Sequence, residues 1–422
     1  MGPNRKGHTG ELGLVDSNPQ QQDTFVVQFA PPQVVNTATE GEAQFTAEPS
    51  DAITTFVFMA NLYAQEASGD AAASTSAQRV LHRLRGSSES RTYIFGIAFG
   101  NAPLGQVSQL GLPLIASTGD CPQLDYSGFI HIHVPLLEET STADVEFVFD
   151  VNFLPMPGEV LGDEEEELAQ LVVDTGVRLA QQLGRTVIQT GTLHSADTEC
   201  DADPFTRAIS RRGFCMLHAE RQLSVEVPEV PPSVILPHGV SIKVWADYDI
   251  EEDYLDGVIE LLTIASEDTQ TGDLTVEPIQ WTRQRLAQAH GRLRSRGSHI
   301  VMCALVSDGE ILSLTELGRH ANSDPEVAEW NVTVTARQHR RQGLALLAKL
   351  AALRVVRAHW PDVTRTYSSV GVSDPAMQGI YARLGAKLLS GSEMWELKLG
   401  DAPRQSAKYR GVGVRLASCG RQ

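Results

Sequence analysis

At 422 residues, 42% of them hydrophobic, with 35 Gly and 21 Pro, the chain has the composition of a globular protein and the length for two to three domains of about 150 residues each. Collagen-like, wholly disordered and coiled-coil architectures are excluded. The 34 Lys and Arg stand against 53 Asp and Glu, and the formal net charge of −19 opposes nucleic-acid binding. It suits a small-molecule or cationic partner, or solubility alone.

Residues 1–45 are rich in Gln, Asn, Gly, Pro and Thr with one short apolar stretch at 25–29, and read as a flexible leader. The first 22 residues lack an apolar h-region, and no apolar run elsewhere approaches the roughly 20 residues of a membrane span, so a cytoplasmic protein without membrane contact is expected. Across 46–227, strands are predicted at 91–100, 128–135 and 144–153, followed by a helix at 164–183 whose Leu168, Leu171, Val172 and Val177 share a face. A strand at 185–190, a short helix at 204–212 stopped by Gly213, and a strand at 221–227 complete this unit. Pro228, Pro231, Pro232 and Pro237 make 228–238 a linker, because proline sustains neither a helix nor a central strand.

The same order returns in 239–400: strands at 299–307, 311–316 and 329–334, a long helix at 342–360, a strand at 363–370, a short helix at 375–384 ended by Gly385, and a strand at 393–399. Arg404, Lys408, Arg410, Arg415 and Arg421 mark 401–422 as a loose basic tail. Cys121, Cys200, Cys215, Cys303 and Cys419 are scattered without a CxxC pair, so neither a disulfide framework nor a zinc site is expected.

The sharpest local feature runs from Val334 through Arg337, Arg340, Arg341 and Gly343 to Ala345, a strand passing through a basic loop into a helix. Such a turn aims free backbone N–H groups and the positive end of the helix dipole at one point, which suits an anion such as a pyrophosphate. Arginines in a first helical turn oppose the dipole, and a bound anion would compensate them. The alternative is a solvated basic start to an ordinary amphipathic helix.

The pattern Arg340-x-x-Gly343-x-Ala345 resembles the acyl-CoA signature of the GCN5-related N-acetyltransferases (GNAT). Asp374-Pro375-Ala376-Met377, continuing through Ile380-Tyr381 to Leu384-Gly385-Ala386, resembles their second block, in which a helix ends in Leu-Gly-Phe. Ala386 stands where Phe is usual, and Arg341-Gln342 where Arg-Gly or Gly-His is commoner. Residues 271–278 with Trp281 are similar to a stretch of actinobacterial members, and the resemblance covers 239–400.

The resemblance implies an α/β (α+β) fold, a mixed and mostly antiparallel sheet flanked by helices, with acetyl-CoA as co-substrate and no metal. It places Val332, Thr333 and Val334 along the pantetheine arm and Arg340, Arg341, Gln342, Gly343, Leu344 and Ala345 around the pyrophosphate, with the N–H groups of Arg341, Gly343 and Ala345 holding it. A neutral amine attacks the thioester directly, which calls for a proton acceptor and a donor to the departing thiolate. Tyr381 stands where the family commonly has its tyrosine acid; otherwise it is a core residue. Glu316 or Glu329, at strand ends, would serve as base, or both are solvated charges, and His320 and Asp324 are weaker candidates for substrate contact.

In the first unit the loop of the same rank spans 154–167 and carries Glu159, Asp163, Glu164, Glu165, Glu166 and Glu167, while no Lys or Arg occurs between Arg91 and Arg178. These carboxylates satisfy their own helix and repel phosphate. The expected layout is therefore two tandem GNAT-like domains, a degenerate one at 46–227 and a catalytic one at 239–400, similar to mycothiol synthase and other two-domain acetyltransferases. The expected function is N-acetyl transfer to a primary amine of a small molecule, such as an antibiotic or a biosynthetic intermediate. The alternatives are a non-catalytic acyl-CoA-binding sensor or scaffold, and two active domains with different acceptors. A tandem chain can cover its own sheet edges, so a monomer or loose dimer is expected.

Overall fold

The computed structural model describes residues 24–32, 47–150, 162–196 and 204–400. The rest of the leader, the basic tail and residues 154–161 of the acidic loop lie outside the described residues. The first unit runs β1 (Thr24–Phe29), α1 (Asp51–Ser68), α2 (Ala77–Leu84), β2 (Ser90–Phe99), β3 (Leu114–Ile115), β4 (Asp125–Pro135), β5 (Thr142–Phe149), α3 (Asp163–Gln182), β6 (Val187–Ser195), α4 (Pro204–Arg212) and β7 (Cys215–Glu226). The second runs β8 (Ser241–Ala246), α5 (Glu252–Asp268), α6 (Arg283–Ser295), β9 (His299–Ser307), β10 (Glu310–Arg319), β11 (Val327–Thr335), α7 (Leu344–His359), β12 (Arg365–Gly371), α8 (Pro375–Arg383) and β13 (Lys387–Lys398).

Local chemistry sets these boundaries. Ser50 caps α1 by accepting from the Ile53 N–H, and Gly69 ends the helix at φ 65. Asp374 caps α8 through the Met377 N–H with Pro375 in the first turn, and Gly385 at φ 72 follows the helix. Helix α7 buries Leu344, Ala348, Ala351, Ala352 and Val356 against the sheet. One expectation needs correction. The apolar stretch placed in the leader is strand β1, paired antiparallel with β2, because Val27 and Phe29 fill a core pocket with Ile53, Phe56 and Phe129. Helices α1, α2, α5 and α6, which cover the sheet in pairs at the start of each unit, are not among the expected elements.

All thirteen strands of the described residues join one sheet in the order β3-β1-β2-β4-β5-β6-β13-β7-β12-β11-β10-β9-β8. The last strands of the two units are exchanged. Strand β7 lies between β12 and β13, and β13 lies between β6 and β7. Both strands therefore run longer than the alternating patterns at 221–227 and 393–399 predict, since each is paired along both edges. Ion pairs also cross between units, among them Arg292 with Glu89 at 2.8 Å and Arg365 with Asp70 at 3.1 Å.

Candidate active site

Strands β11 and β12 pair in parallel at three rungs only, Val327 with Arg365, Ala328 with Thr366 and Glu329 with Tyr367. Beyond them the strands part. A bulge helps: between the pairs Thr315–Thr333 and Leu317–Trp330, the single residue Glu316 of β10 faces both Asn331 and Val332. The gap is a cleft of about 760 Å³ bordered by residues 330–335 and 368–371, the loop before α7, and Tyr381 of α8. Along it, the β12-facing edge of β11 has no strand partner among the described residues, so its backbone groups are free to pair with an extended amide-bearing ligand.

At the cleft's end the chain turns through a short 3-10 segment, Arg337–His339, and Arg341 and Gly343 both take left-handed backbone, at φ 64 and φ 77. No side chain caps α7 at Gly343. A Cβ there would meet nothing within 4 Å, so the glycine serves the backbone angle rather than a close protein contact. The result is a run of first-turn N–H groups without an acceptor among the described residues, at the positive end of a sixteen-residue helix. The arginines divide. Arg337 and Arg340 are held by Glu267 and Asp268 at the end of α5, and Arg340 Nε also donates to the Thr335 carbonyl at 3.1 Å. Arg341 is exposed and has no partner among the described residues.

Tyr381 is 2% exposed, lines the cleft, and belongs to the core cluster with Trp330 and Leu353. Its hydroxyl accepts from Lys349 Nζ at 2.8 Å and is hydrogen-bonded to Ser368 Oγ. Burial pushes the phenol up to about 12, so it is a protonated donor at neutral pH. Lys349 is fully buried, 3.7 Å from the Trp330 ring centroid, and burial holds its amine well below the ordinary lysine value. Its signal in the sequence is a single charge within the apolar run Leu344–Leu353 that opens α7.

The carboxylates are arranged differently from the expectation. Glu316 is 3% exposed, accepts from Asn331 Nδ2 at 2.7 Å, and lies behind the cleft wall; burial pushes its carboxyl up against hydrogen bonds from Asn331 and Tyr248. Glu329 sits on the last paired rung. Burial raises its carboxyl, but the hydrogen bond with His320 (3.3 Å) and the charge of Arg79 (3.8 Å) outweigh this and hold it below the usual range. Asp324 caps its own loop through the Glu326 N–H at 2.8 Å. The glutamate that lines the cleft is Glu220, from the exchanged strand β7 of the first unit. It accepts from Ser369 Oγ and lies 3.2 Å from His218 Nε2. The pairings of β7 with β12 and of β12 with β11 put Glu220, Ser369, Tyr367 and Glu329 on one face of the sheet, opposite to Trp330, Ser368 and Tyr381.

The first unit keeps the same divergence, with β5 and β6 paired at three rungs before parting around a cavity of about 560 Å³ that Glu220 also lines. The described part of its acidic loop, from Gly162 onward, starts α3 with Asp163, Glu164, Glu165 and Glu166. Glu166 is bound by Arg207 and Arg211 of α4 at 2.9 and 2.8 Å.

No protein-family model matches this chain, and no curated protein matches it. Solved structures do. A tandem GNAT protein from the clavulanic acid biosynthesis pathway is 18% identical with a TM-score of 0.60, covering 90% of this chain and 100% of its own. A GCN5-related N-acetyltransferase from Sphaerobacter thermophilus is 14% identical with a TM-score of 0.53, over 84% of this chain and 96% of its own. Strand order, the parting of the central parallel pairs and these likenesses agree: the chain has the tandem fold of the GCN5-related N-acetyltransferases.

Proposed function

We propose that the protein transfers an acetyl group from acetyl-CoA to a primary amine of a small molecule, in the cleft of the second unit, residues 239–400. The observation that carries this reading is the pairing of opposite functions across one gap: a buried neutral phenol, Tyr381, on one face and a carboxylate, Glu220, on the other. Bound acetyl-CoA supplies a thioester carbonyl open to amine attack. The free edge at Val332, Thr333 and Val334 suits amide pairing, and the N–H groups of Arg341, Gly343 and Ala345, with the guanidinium of Arg341, suit the pyrophosphate. Gln342 and Leu344 shape the turn.

Glu220 takes the proton of an incoming ammonium, and Tyr381 donates one from its hydroxyl to the leaving sulfur, with Lys349 and Ser368 fixing the phenol's direction. Glu329, held ionised on the Glu220 face, adds negative charge that favours a cationic acceptor; Glu316 supports the bulge through Asn331. In the first unit, a helix start crowded with carboxylates disfavours a pyrophosphate.

Isothermal titration of acetyl-CoA tests the reading. Wild-type protein binds one equivalent per chain, and Arg341→Glu weakens binding at least about tenfold, the effect of reversing one charge beside an anion site. Two equivalents per chain would assign the first unit a site as well, and no binding would remove acetyl-CoA from the function.

A further inference from the structure

A third cavity, of about 380 Å³, lies between the units, away from the cleft. Arg79, His82 and Arg83 of α2 form one wall; Arg296, after α6, and His320, in the loop between β10 and β11, form the other. Among the described residues no carboxylate lines it. The guanidinium groups of Arg83 and Arg296 have no hydrogen-bond or ion-pair partner among the described residues, and the carboxylate facing Arg79, on Glu329, is 3.8 Å away. The other acids whose fields reach these arginines are engaged elsewhere. Glu146 accepts from His131 at 3.0 Å, and Glu89 is paired with Arg292 at 2.8 Å.

Burial and then the neighbouring guanidinium groups hold Arg83 and Arg296 below the ordinary arginine value, and burial with Arg296 and Arg85 lowers His82 to about 4. His82 is therefore neutral, and its Nε2 lies 3.2 Å from Ser295 Oγ. Three guanidinium groups converging on one concavity repel each other, in a molecule whose net charge of −19 leaves ample carboxylate to neutralise them elsewhere. Arg83 and Arg296 offer planar, multidentate donors without protein acceptors, and Arg79, paired with Glu329 at 3.8 Å, adds a third guanidinium, as a tetrahedral oxyanion requires.

We propose that this cavity binds the phosphate group of a small molecule, with Arg79, Arg83 and Arg296 as its donors. The site goes beyond the acetyl-transfer reading and does not depend on it. Because its walls come from both units, the ligand would also tie them together.

The test is calorimetric titration of inorganic phosphate, and separately of a sugar phosphate, into the full chain at constant ionic strength set with chloride. Wild-type protein shows saturable binding at one site, and the double variant Arg83→Gln/Arg296→Gln binds at least about tenfold more weakly, while Arg341→Glu, in the α7 loop, leaves this phosphate binding unchanged. A tighter sugar phosphate assigns a phosphorylated metabolite; equal affinity assigns the free ion. The proposal is overturned if neither ligand saturates the wild type. It is also overturned if binding survives the double variant, or if Arg341→Glu abolishes it. Circular dichroism of the double variant separates loss of binding from loss of fold.

Discussion

Tyr381 illustrates how burial tunes a single group. With its hydroxyl bonded to Lys349 and Ser368 it is a core side chain and a cleft-lining acid at once, and the two descriptions are compatible because the cleft opens onto the core. Tyr381→Phe keeps the ring and removes the proton; kcat is expected to fall about 10²-fold with acetyl-CoA affinity unchanged, as read by thiol release and titration. Glu220→Gln is expected to lower kcat/KM for the amine by about 10²-fold and to leave acetyl-CoA binding intact. An unchanged rate in either variant removes that residue from the chemistry. Lys349 makes a prediction about stability. Burial disfavours the protonated amine in the folded chain, so the unfolded chain binds the proton more readily and stability rises as pH climbs toward the ordinary value of 10.5. Lys349→Met is expected to flatten this rise below pH 10.5, whose slope for one group is at most about 1.4 kcal/mol per pH unit, as read by denaturant midpoints across a pH series.

Among the elements, α7 was legible because its apolar spacing, its glycine and its basic loop lie within a dozen or so residues of each other. Helix α1 was not. Its run of Ile53, Thr54, Thr55, Phe56, Val57 and Phe58 is β-branched and aromatic, a composition that suits a strand as well as a helix, and the Ser50 cap decides it. Helix α6 buries only Leu286 and Ala289 and is otherwise polar, so its periodicity is weak. The loop before α7 joins a strand to a helix as expected, yet its arginines differ in setting for a reason outside the motif. Asp268, on another helix, claims Arg337 and Arg340 and leaves Arg341 exposed.

On the scale of the whole molecule, strand exchange makes the two units one folding entity. Removing residues 1–227 would strip both partners, β6 and β7, from β13 and one partner, β7, from β12, exposing those edges and deleting Glu220 from the cleft. The second unit expressed alone is expected to aggregate or self-associate in size-exclusion chromatography, and co-expression of both halves is expected to restore a soluble, acetyl-CoA-binding complex. A monomeric, binding-competent second unit would show the exchange to be dispensable. Neither outer strand invites further pairing strongly: β3 is two residues long, and β8 is six residues long with a half-buried charge, Lys243, paired with Glu251 at 2.8 Å.

What the sequence by itself determined was whatever depends on neighbours along the chain: two α/β units in tandem order, the anion-suited loop at 340–345, the capped helix carrying Tyr381, and the reversed charge at the start of α3. Tertiary structure decided the rest. Glu220 meets Ser369 across 149 residues, and no local pattern marks a strand of one unit as the wall of the other's cleft. The setting of Lys349 and the clustering of Arg79, Arg83 and Arg296 have the same origin, because burial and electrostatic field depend on which surfaces pack together, whereas caps, turns and periodicity depend on the next few residues alone.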